Sequence, residues 1–317
     1  LFRTRPQVRQ GEGGITMLKR IVTGAVYVAV IVAFFALRAV DPRFFGILVY
    51  AFSLIGTYEM VHALAHERIG ADGEVIPAVM PMSRAQKACV YGYAVLFTPA
   101  YYLAEFLYER AGYRSMITLS FLFGLVLFCL LVADHKNSDV KGIGSAMVCG
   151  FYPTAILSTM LLINSLPDAS ALGLLLIFVI SPVTDTAAFF VGSLVRGKKL
   201  CPTISPNKTI SGAVGGLIFG SGASVLLYWL YTLATGYEYA GVLSGWAGAP
   251  WLIFAVIGFL CAFVTEFGDL VESVIKRKVG IKDMGKLLPG HGGILDRIDG
   301  TLFASLFVYL AFLLLVM

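Results

Sequence analysis

Charged side chains are scarce in this sequence. Asp, Glu, Lys and Arg make up 14% of its 317 residues, 58% are hydrophobic, and the mean hydropathy is +0.83. The surface of a water-soluble domain needs more charge than this. No alternating strand pattern accompanies the apolar runs, and helices satisfy their own backbone groups in lipid. The composition therefore predicts an all-α polytopic membrane protein.

Several motifs of soluble enzymes are also missing. The sequence contains no Walker A motif and no GxGxxG after a predicted strand, which excludes the ordinary soluble nucleotide-binding folds. No Ser-His-Asp or Cys-His set suggests a protein nucleophile. The five cysteines are scattered and never spaced as CxxC, so we expect small buried side chains rather than disulfides or metal ligands.

Nine stretches are long and apolar enough to cross a bilayer, which takes about 20 residues. They are 21–37, 44–64, 88–107, 115–133, 143–163, 171–193, 211–235, 250–272 and 300–317. With the N-terminus in the cytoplasm, 20 of the 24 Lys and Arg residues fall on cytoplasmic segments. This distribution predicts a cytoplasmic N-terminus and a C-terminus on the other side.

The chain divides into three parts by composition. Residues 1–16 are predicted to be a disordered tail or an extension upstream of a start at Met17. The predicted N-terminal transmembrane helices occupy 17–170. A catalytic transmembrane domain is predicted over 171–317, with cytoplasmic loops 194–210 and 273–299.

Two polar features interrupt the apolar runs after residue 170. Asp185 follows Pro182 inside the predicted sixth span, where a charge costs about 2.5–3.5 kcal/mol, so we expect it to serve a ligand or ion. Ser205, Lys208 and Thr209 open the seventh span, and a helix N-terminus with a lysine favours phosphate. The alternative for this second feature is a solvated basic loop.

Carboxylates and cations meet at the end of the eighth span. Glu266, Asp269, Ser273 and Lys276 share one helix face through i, i+3 and i, i+4 spacing. The stripe predicts a wall that faces metal or phosphate, and the alternative is an interfacial ladder of ion pairs. Glu59, three residues before His62, has two explanations: the two side chains form a pair that faces the bundle, or, more simply, they mark the interfacial end of a helix.

The stretch 273–299 is basic and glycine-rich between two apolar spans. Its glycines, among them Gly292 and Gly293, permit close backbone approach to an anion. Asp269 and Asp296 with the nearby cations predict a site for Mg²⁺ and phosphate oxygens. Asp299 also suits a helix N-terminus. The set favours direct phosphoryl or nucleotidyl transfer, which needs positioning and charge neutralisation rather than a protein nucleophile.

The order of residues in 273–299 resembles the signature of the phosphatidate cytidylyltransferase (CDP-diacylglycerol synthase) family. The D-T-x-A run at Asp185 and the S-P-x-K-T run at 205–209 are also similar, whereas Ser211 stands where members often have Glu. The matching positions are Ser273, Lys276, Arg277, Lys282, Asp283, Gly285, Pro289, His291, Gly292, Gly293, Asp296, Arg297 and Asp299.

The resemblance implies transfer of CMP from CTP to phosphatidic acid with Mg²⁺, giving CDP-diacylglycerol and pyrophosphate for phospholipid synthesis. It implies a site on the cytoplasmic face of the cell membrane, a homodimer, no nucleic-acid partner and, as a further candidate, a second, monovalent cation. The residues that it marks for catalysis are Asp269 and Asp296, also as metal ligands, with Lys276, Arg277, Lys282, His291 and Arg297. Those for substrate or CTP binding are Asp185, Ser205, Lys208, Thr209, Ser273, Asp283, Gly292, Gly293 and Asp299.

Two other functions stay open at this point. A CTP-dependent lipid kinase of the polyprenol or phytol type would share CTP and Mg²⁺ but release CDP. A transporter with broken helices would suit Pro182 and Asp185, but its polar residues should lie near mid-membrane rather than on long loops.

Overall fold

The computed structural model describes residues 17–69, 74–109 and 111–316, and the predicted tail 1–16 lies outside them. Helices dominate the described residues. They are α1 (Met17–Val40), α2 (Arg43–Ala65), α3 (Arg84–Leu107), α4 (Gly112–Ala133), α5 (Val140–Gly150), α6 (Thr159–Asn164), α7 (Ser170–Val195), α8 (Ile210–Thr235), α9 (Ala249–Val279) and α10 (Leu295–Ala311). Two antiparallel hairpins pair β1 (Arg68–Ile69) with β2 (Val75–Ile76) and β3 (Lys199–Cys201) with β4 (Ser205–Thr209).

Eight helical stretches within the described residues are long and apolar enough to cross a membrane. The predicted third span forms α3, which is helical over 24 residues but less apolar than these eight. The prediction of an all-α polytopic membrane protein is confirmed. The chain is an integral membrane protein.

The predicted span 143–163 is helical but is not one continuous α-helix. A π-helical turn, Phe151–Ile156, separates α5 from α6 and includes Pro153. Proline has no backbone N–H to give to the preceding turn, and π-turns are one way in which a helix absorbs such a break. In contrast, α7 continues as a helix through Pro182.

The predicted loop 273–299 is too long at both ends. Helix α9 runs on to Val279, and α10 already begins at Leu295, so the loop between them is 280–294. Gly280 ends α9 in the left-handed region (φ +73°), and Ile281 N donates to the Lys276 carbonyl while Gly280 N donates to that of Arg277. These two bonds form a Schellman motif. The predicted loop 194–210 is also corrected, since it holds the β3–β4 hairpin.

The chain divides into two compact units. The first comprises the residues up to Ser158 together with Ile275–Arg297, and the second comprises Thr159–Val274 together with the chain from Ile298 onward. Both boundaries near the C-terminus fall inside helices, so α9 and α10 each contribute residues to both units.

In the second unit, glycines let α7 and α8 pack closely. A Cβ on Gly215 would lie 2.7 Å from Val191, and one on Gly220 would lie 2.7 Å from the Thr184 hydroxyl. Small residues at such contacts are how membrane helices bring their backbones together. The close packing of α7 and α8 fixes where Asp185 stands relative to the start of α8.

Candidate active site

A buried ion pair lies at the centre of the polar segment in the first unit. Lys276 Nζ of α9 lies 2.8 Å from Asp296 Oδ1 of α10, and both side chains are almost fully enclosed. Asp296 Oδ2 accepts backbone N–H groups from Met284 and Gly293, each at 2.8 Å. One carboxylate thus takes three hydrogen bonds, two of them from the loop 280–294, and fixes that loop to both helices.

The glycines of this loop give the carboxylate room. Gly292 has a φ of +87°, and a Cβ added there would lie 2.7 Å from Asp296 Oδ2. Leu288 N donates to the Gly292 carbonyl at 2.8 Å, which closes a tight turn around Pro289 and Gly290. The anion that these glycines approach in the structure is the protein's own carboxylate; their predicted role in CTP binding stays a prediction.

Glu59 of α2 is a second buried carboxylate in the first unit, and the sequence interpretation of an interfacial helix end missed it. Its side chain is 4% exposed, and it accepts Ile294 N at 3.1 Å and Leu295 N at 2.9 Å. A Cβ on Gly285 or Gly293 would overlap the Glu59 carboxylate. The contact joins residues 235 positions apart, which no local pattern reveals.

The predicted cations of the first unit are exposed around this buried core. Arg277, Lys282 and Arg297 all reach the surface, as does Asp283. Arg277 donates to the Ile281 carbonyl at 3.2 Å. Lys282 lies on the loop itself, and Arg277 and Arg297 lie at the helix ends beside it, so all three are at the surface next to a firmly held backbone.

His291 belongs to the same surface, and its surroundings favour the neutral imidazole. Burial lowers the pKa of His291, and the positive charges of Arg297 and Arg20 lower it further. A neutral imidazole can orient a phosphate by a hydrogen bond but adds no positive charge.

A second Lys–Asp pair lies in the second unit. Lys208 Nζ of β4 is 2.6 Å from Asp269 Oδ2 of α9, and each side chain is about a quarter exposed, at 22% and 25%. Ser273 donates to Asp269 Oδ1 at 3.3 Å. Burial works to lower the pKa of Lys208, but the nearby carboxylates outweigh it and raise that pKa above its ordinary value; they are Asp269, Asp185 and Glu266.

The β3–β4 hairpin presents Lys208 to these carboxylates. Lys199 pairs with Thr209, and Cys201 pairs with Ser205. Thr209 caps α8 by accepting Gly212 N at 3.1 Å, and Ser211 donates to the Arg196 carbonyl. The hydroxyl of Thr209 thus has a structural partner, and Ser211, the departure from the family pattern, ties the start of α8 to the end of α7.

The structure brings the predicted residues together in two groups. The first unit gathers Lys276, Asp296, Gly292 and Gly293, with Asp283 on the same loop. The second unit gathers Asp185, Lys208, Asp269 and Ser273. Asp299 also belongs to the second unit, where it accepts Gly300 N at 2.8 Å and its carbonyl lies against Gly268. Glu266 joins the second group; its place on the helix face shared with Asp269 was the sequence signal for it.

The two predicted Mg²⁺ ligands, Asp269 and Asp296, differ in how well their surroundings suit the ion. Among the described residues no three His, Cys, Asp or Glu side chains are arranged to hold a metal ion, although Mg²⁺ often takes only one or two carboxylates plus phosphates and water. Around Lys208, three carboxylates against one ammonium leave a formal charge of −2 when all are ionised, which suits a divalent cation. Asp296 already uses three of its roughly four lone-pair positions, so it has room for one more bond.

The proteins to which this chain is similar are cytidylyltransferases. The model of the cytidylyltransferase family matches residues 18–315. A phosphatidate cytidylyltransferase of Bacillus subtilis is 28% identical over 93% of this chain and 97% of its own, and one of Mycobacterium bovis is 28% identical over 98% and 93%.

A phosphatidate cytidylyltransferase of Brucella suis is 37% identical over 198 residues. That match spans 62% of this chain and 65% of the length of the Brucella protein. The match to the family model, in contrast, runs through nearly all of the described residues, including both groups of the candidate site. The chain therefore belongs to the cytidylyltransferase family.

Proposed function

We propose that this protein is a phosphatidate cytidylyltransferase, which transfers CMP from CTP to phosphatidic acid and releases pyrophosphate. One observation carries the proposal: proteins of that name from Bacillus subtilis and Mycobacterium bovis align with more than nine tenths of this chain. The two groups of buried and half-buried charges supply the chemistry that such a transfer needs.

The reaction joins two anions. A phosphate oxygen of phosphatidic acid attacks the α-phosphorus of CTP, and the bond from that phosphorus to the oxygen bridging to the β-phosphate breaks. Phosphatidic acid is already ionised at neutral pH, so the attack needs no protein base. What the protein must supply is positive charge and position.

Each unit holds cations of the kind that such a reaction requires. Lys276 is held by Asp296, and Lys208 is held by Asp269, so each ammonium is aimed before a substrate arrives. Arg277, Lys282 and Arg297 are exposed and offer further donors, with the forked geometry of Arg suited to phosphate. His291 orients a phosphate or ligand as a neutral ring.

Magnesium belongs to the proposal. The residues that would hold it are Asp269 and Asp296, with Asp269 the better provided, and a bound Mg²⁺ would neutralise charge on the triphosphate and on the leaving pyrophosphate. Asp269 is in the second unit and Asp296 in the first, so their shared coordination of one ion stays a prediction from the motif. A second, monovalent cation also stays a prediction.

The placement in the cell is proposed from charge. Because 20 of 24 Lys and Arg lie on one set of segments, we place those segments, including 280–294 and the β3–β4 hairpin, on the cytoplasmic side of the cell membrane. CTP is found there, and the lipid would enter from the bilayer. Homodimerisation is proposed from the family resemblance alone.

A labelling experiment tests the proposal. The purified protein is placed in phosphatidylcholine vesicles containing phosphatidic acid, with Mg²⁺ and CTP labelled at either its α- or its γ-phosphate. We expect α-label in a CDP-lipid and γ-label in pyrophosphate. No lipid-bound label from either CTP overturns the proposal, and γ-label in the lipid with CDP as product identifies a lipid kinase instead.

A further inference from the structure

Glu59 accepts two backbone hydrogen bonds that have no part in the transfer chemistry proposed above. It lies within α2, inside a stretch apolar enough to span a membrane, where an ionisable side chain is costly unless something stabilises it. Its partners are two consecutive backbone N–H groups, those of Ile294 and Leu295. A carboxylate placed on adjacent amides satisfies donors that the start of a helix leaves open.

The two amides stand at the first turn of α10. Leu295 is the first residue of α10, and Asp296 is the second. The preceding amide, that of Gly293, donates to Asp296 itself. Three successive N–H groups are therefore held by two carboxylates, one from a distant helix and one from the candidate site.

The glycines of the loop make room for Glu59 as well as for Asp296. A Cβ on Gly285 or on Gly293 would overlap the Glu59 carboxylate, although these two glycines are eight residues apart. The loop 280–294 thus folds around this side chain from both ends. Removing Glu59 would leave two buried N–H groups without acceptors and the start of α10 without its anchor.

We propose that Glu59 is a positioning residue for the cytidylyl transfer: it holds the first turn of α10 so that Asp296, and through it Lys276, keep their reactive geometry. The inference rests on the proposed function for its catalytic meaning. The link is direct, because Ile294 and Leu295, whose amides donate to Glu59, immediately precede Asp296 in the chain. A displacement of about 1 Å at such a site costs about 100-fold in rate.

The test compares Glu59→Gln with Glu59→Asp in the full-length protein in vesicles. Each amide has its own carboxylate oxygen in the structure, so Gln keeps the volume but places an NH₂ donor against one of the two N–H donors. We expect Glu59→Gln to lower kcat by about 100-fold with little change in KM for CTP, because the loss falls on the transition state. Glu59→Asp keeps the carboxylate and should recover part of kcat.

The matched control is Thr57→Val, on the same helix two residues away. The Thr57 hydroxyl is fully buried and lies 3.0 Å from that of Thr154, so the variant also loses a buried hydrogen bond, but one to Thr154 rather than to the loop or α10. We expect Thr57→Val to lower stability while kcat per folded molecule stays at the wild-type value. If Glu59→Gln behaves in the same way, Glu59 is only a packing residue and the inference is overturned.

Hydrogen exchange provides a readout that needs no activity. In the substrate-free protein we expect faster amide exchange over residues 284–295 in Glu59→Gln than in the wild type or Thr57→Val. Unchanged exchange overturns the inference even if activity falls. If the wild type makes no CDP-lipid, the proposed function is refuted, and with it the catalytic role of Glu59. Faster exchange in Glu59→Gln than in the wild type would still establish the anchoring contact.

Discussion

The two Lys–Asp pairs of this protein have similar lengths but different surroundings. Lys276 and Asp296 are 11% and 3% exposed, and the carboxylate also accepts two backbone N–H groups. Lys208 and Asp269 are 22% and 25% exposed, and Asp269 also accepts the Ser273 hydroxyl. The carboxylate of the first pair is bonded to backbone amides, whereas the hydroxyl that Asp269 accepts belongs to a side chain.

The difference separates two tasks that a transferase must perform. A buried pair bonded to backbone amides keeps a loop in one conformation, and breaking it leaves a buried charge. A partly exposed pair contributes less to stability than a buried one, and its members can exchange partners with an anionic ligand or a metal ion. We therefore assign anchoring chiefly to Asp296 and ligand exchange chiefly to Lys208 and Asp269.

The largest expected effect is on the anchored pair. Asp296→Asn would leave the Lys276 ammonium buried without its counter-charge, so we expect the free energy of unfolding to fall by about 3–5 kcal/mol. Denaturant unfolding in detergent measures it. The control is Asp283→Asn, which removes an exposed carboxylate from the same loop and should change stability by less than about 0.5 kcal/mol. Equal losses in the two variants would contradict the anchoring role.

A smaller effect is expected from the glycine behind the anchored carboxylate. Gly280 and Gly292 both have positive φ, but nothing lies within 4 Å of a Cβ on Gly280, whereas one on Gly292 would crowd Asp296. Gly280→Ala should cost about 1–2 kcal/mol of backbone strain. Gly292→Ala should cost more and also lower turnover per folded molecule. Identical unfolding and turnover in the two variants would show that the crowding has no consequence.

For the Lys208–Asp269 pair we expect a small effect on stability and a large effect on turnover. Asp269→Asn is expected to change the free energy of unfolding by less than about 1 kcal/mol, since the pair is partly exposed. Turnover with Mg²⁺ should fall by at least about 100-fold if Asp269 serves the metal or the phosphates. Unfolding and CDP-lipid synthesis are measured on the same preparation. Near-normal synthesis would remove Asp269 from the active site.

A double-mutant cycle makes the comparison quantitative. We expect the coupling free energy between Lys208 and Asp269, from Lys208→Met and Asp269→Asn, to be below about 1 kcal/mol. The corresponding cycle for Lys276 and Asp296 should give several times more, because that pair is desolvated. Equal couplings would mean that the two pairs differ in the structure but not in energy.

Much of the fold could be predicted because apolar runs of about 20 residues leave few alternatives. The spans, the motif residues and the family were all evident from the sequence. The end of α9 and the start of α10 were not. Helix α9 runs past the predicted span until the local Schellman bonds at Gly280 end it, and Glu59 stabilises the start of α10 from 235 positions away.

The candidate site was predicted in content but not in its division of tasks. Asp269 and Asp296 look alike in the sequence, as two carboxylates near cations. Only the structure distinguishes the carboxylate that accepts backbone amides from the one that faces a lysine and a serine. The contact of Glu59 with the start of α10 was not predicted, because a single acid near a histidine at a helix end has an ordinary explanation at the membrane interface.

The smallest expected effect is on the pH dependence of stability, through His291 on the loop 280–294. Burial and the charges of Arg297 and Arg20 lower the pKa of His291 below its ordinary value near 6.5. As pH falls through about 6.5, the unfolded chain takes up this proton before the folded protein does, so the folded state loses stability toward acid. Between pH about 7.5 and about 5.5, we expect the melting temperature of His291→Gln to fall less than that of the wild type. Arg20→Gln removes one repelling charge and should lie between His291→Gln and the wild type. Coincident slopes in all three would show that His291 titrates as it does in the unfolded chain.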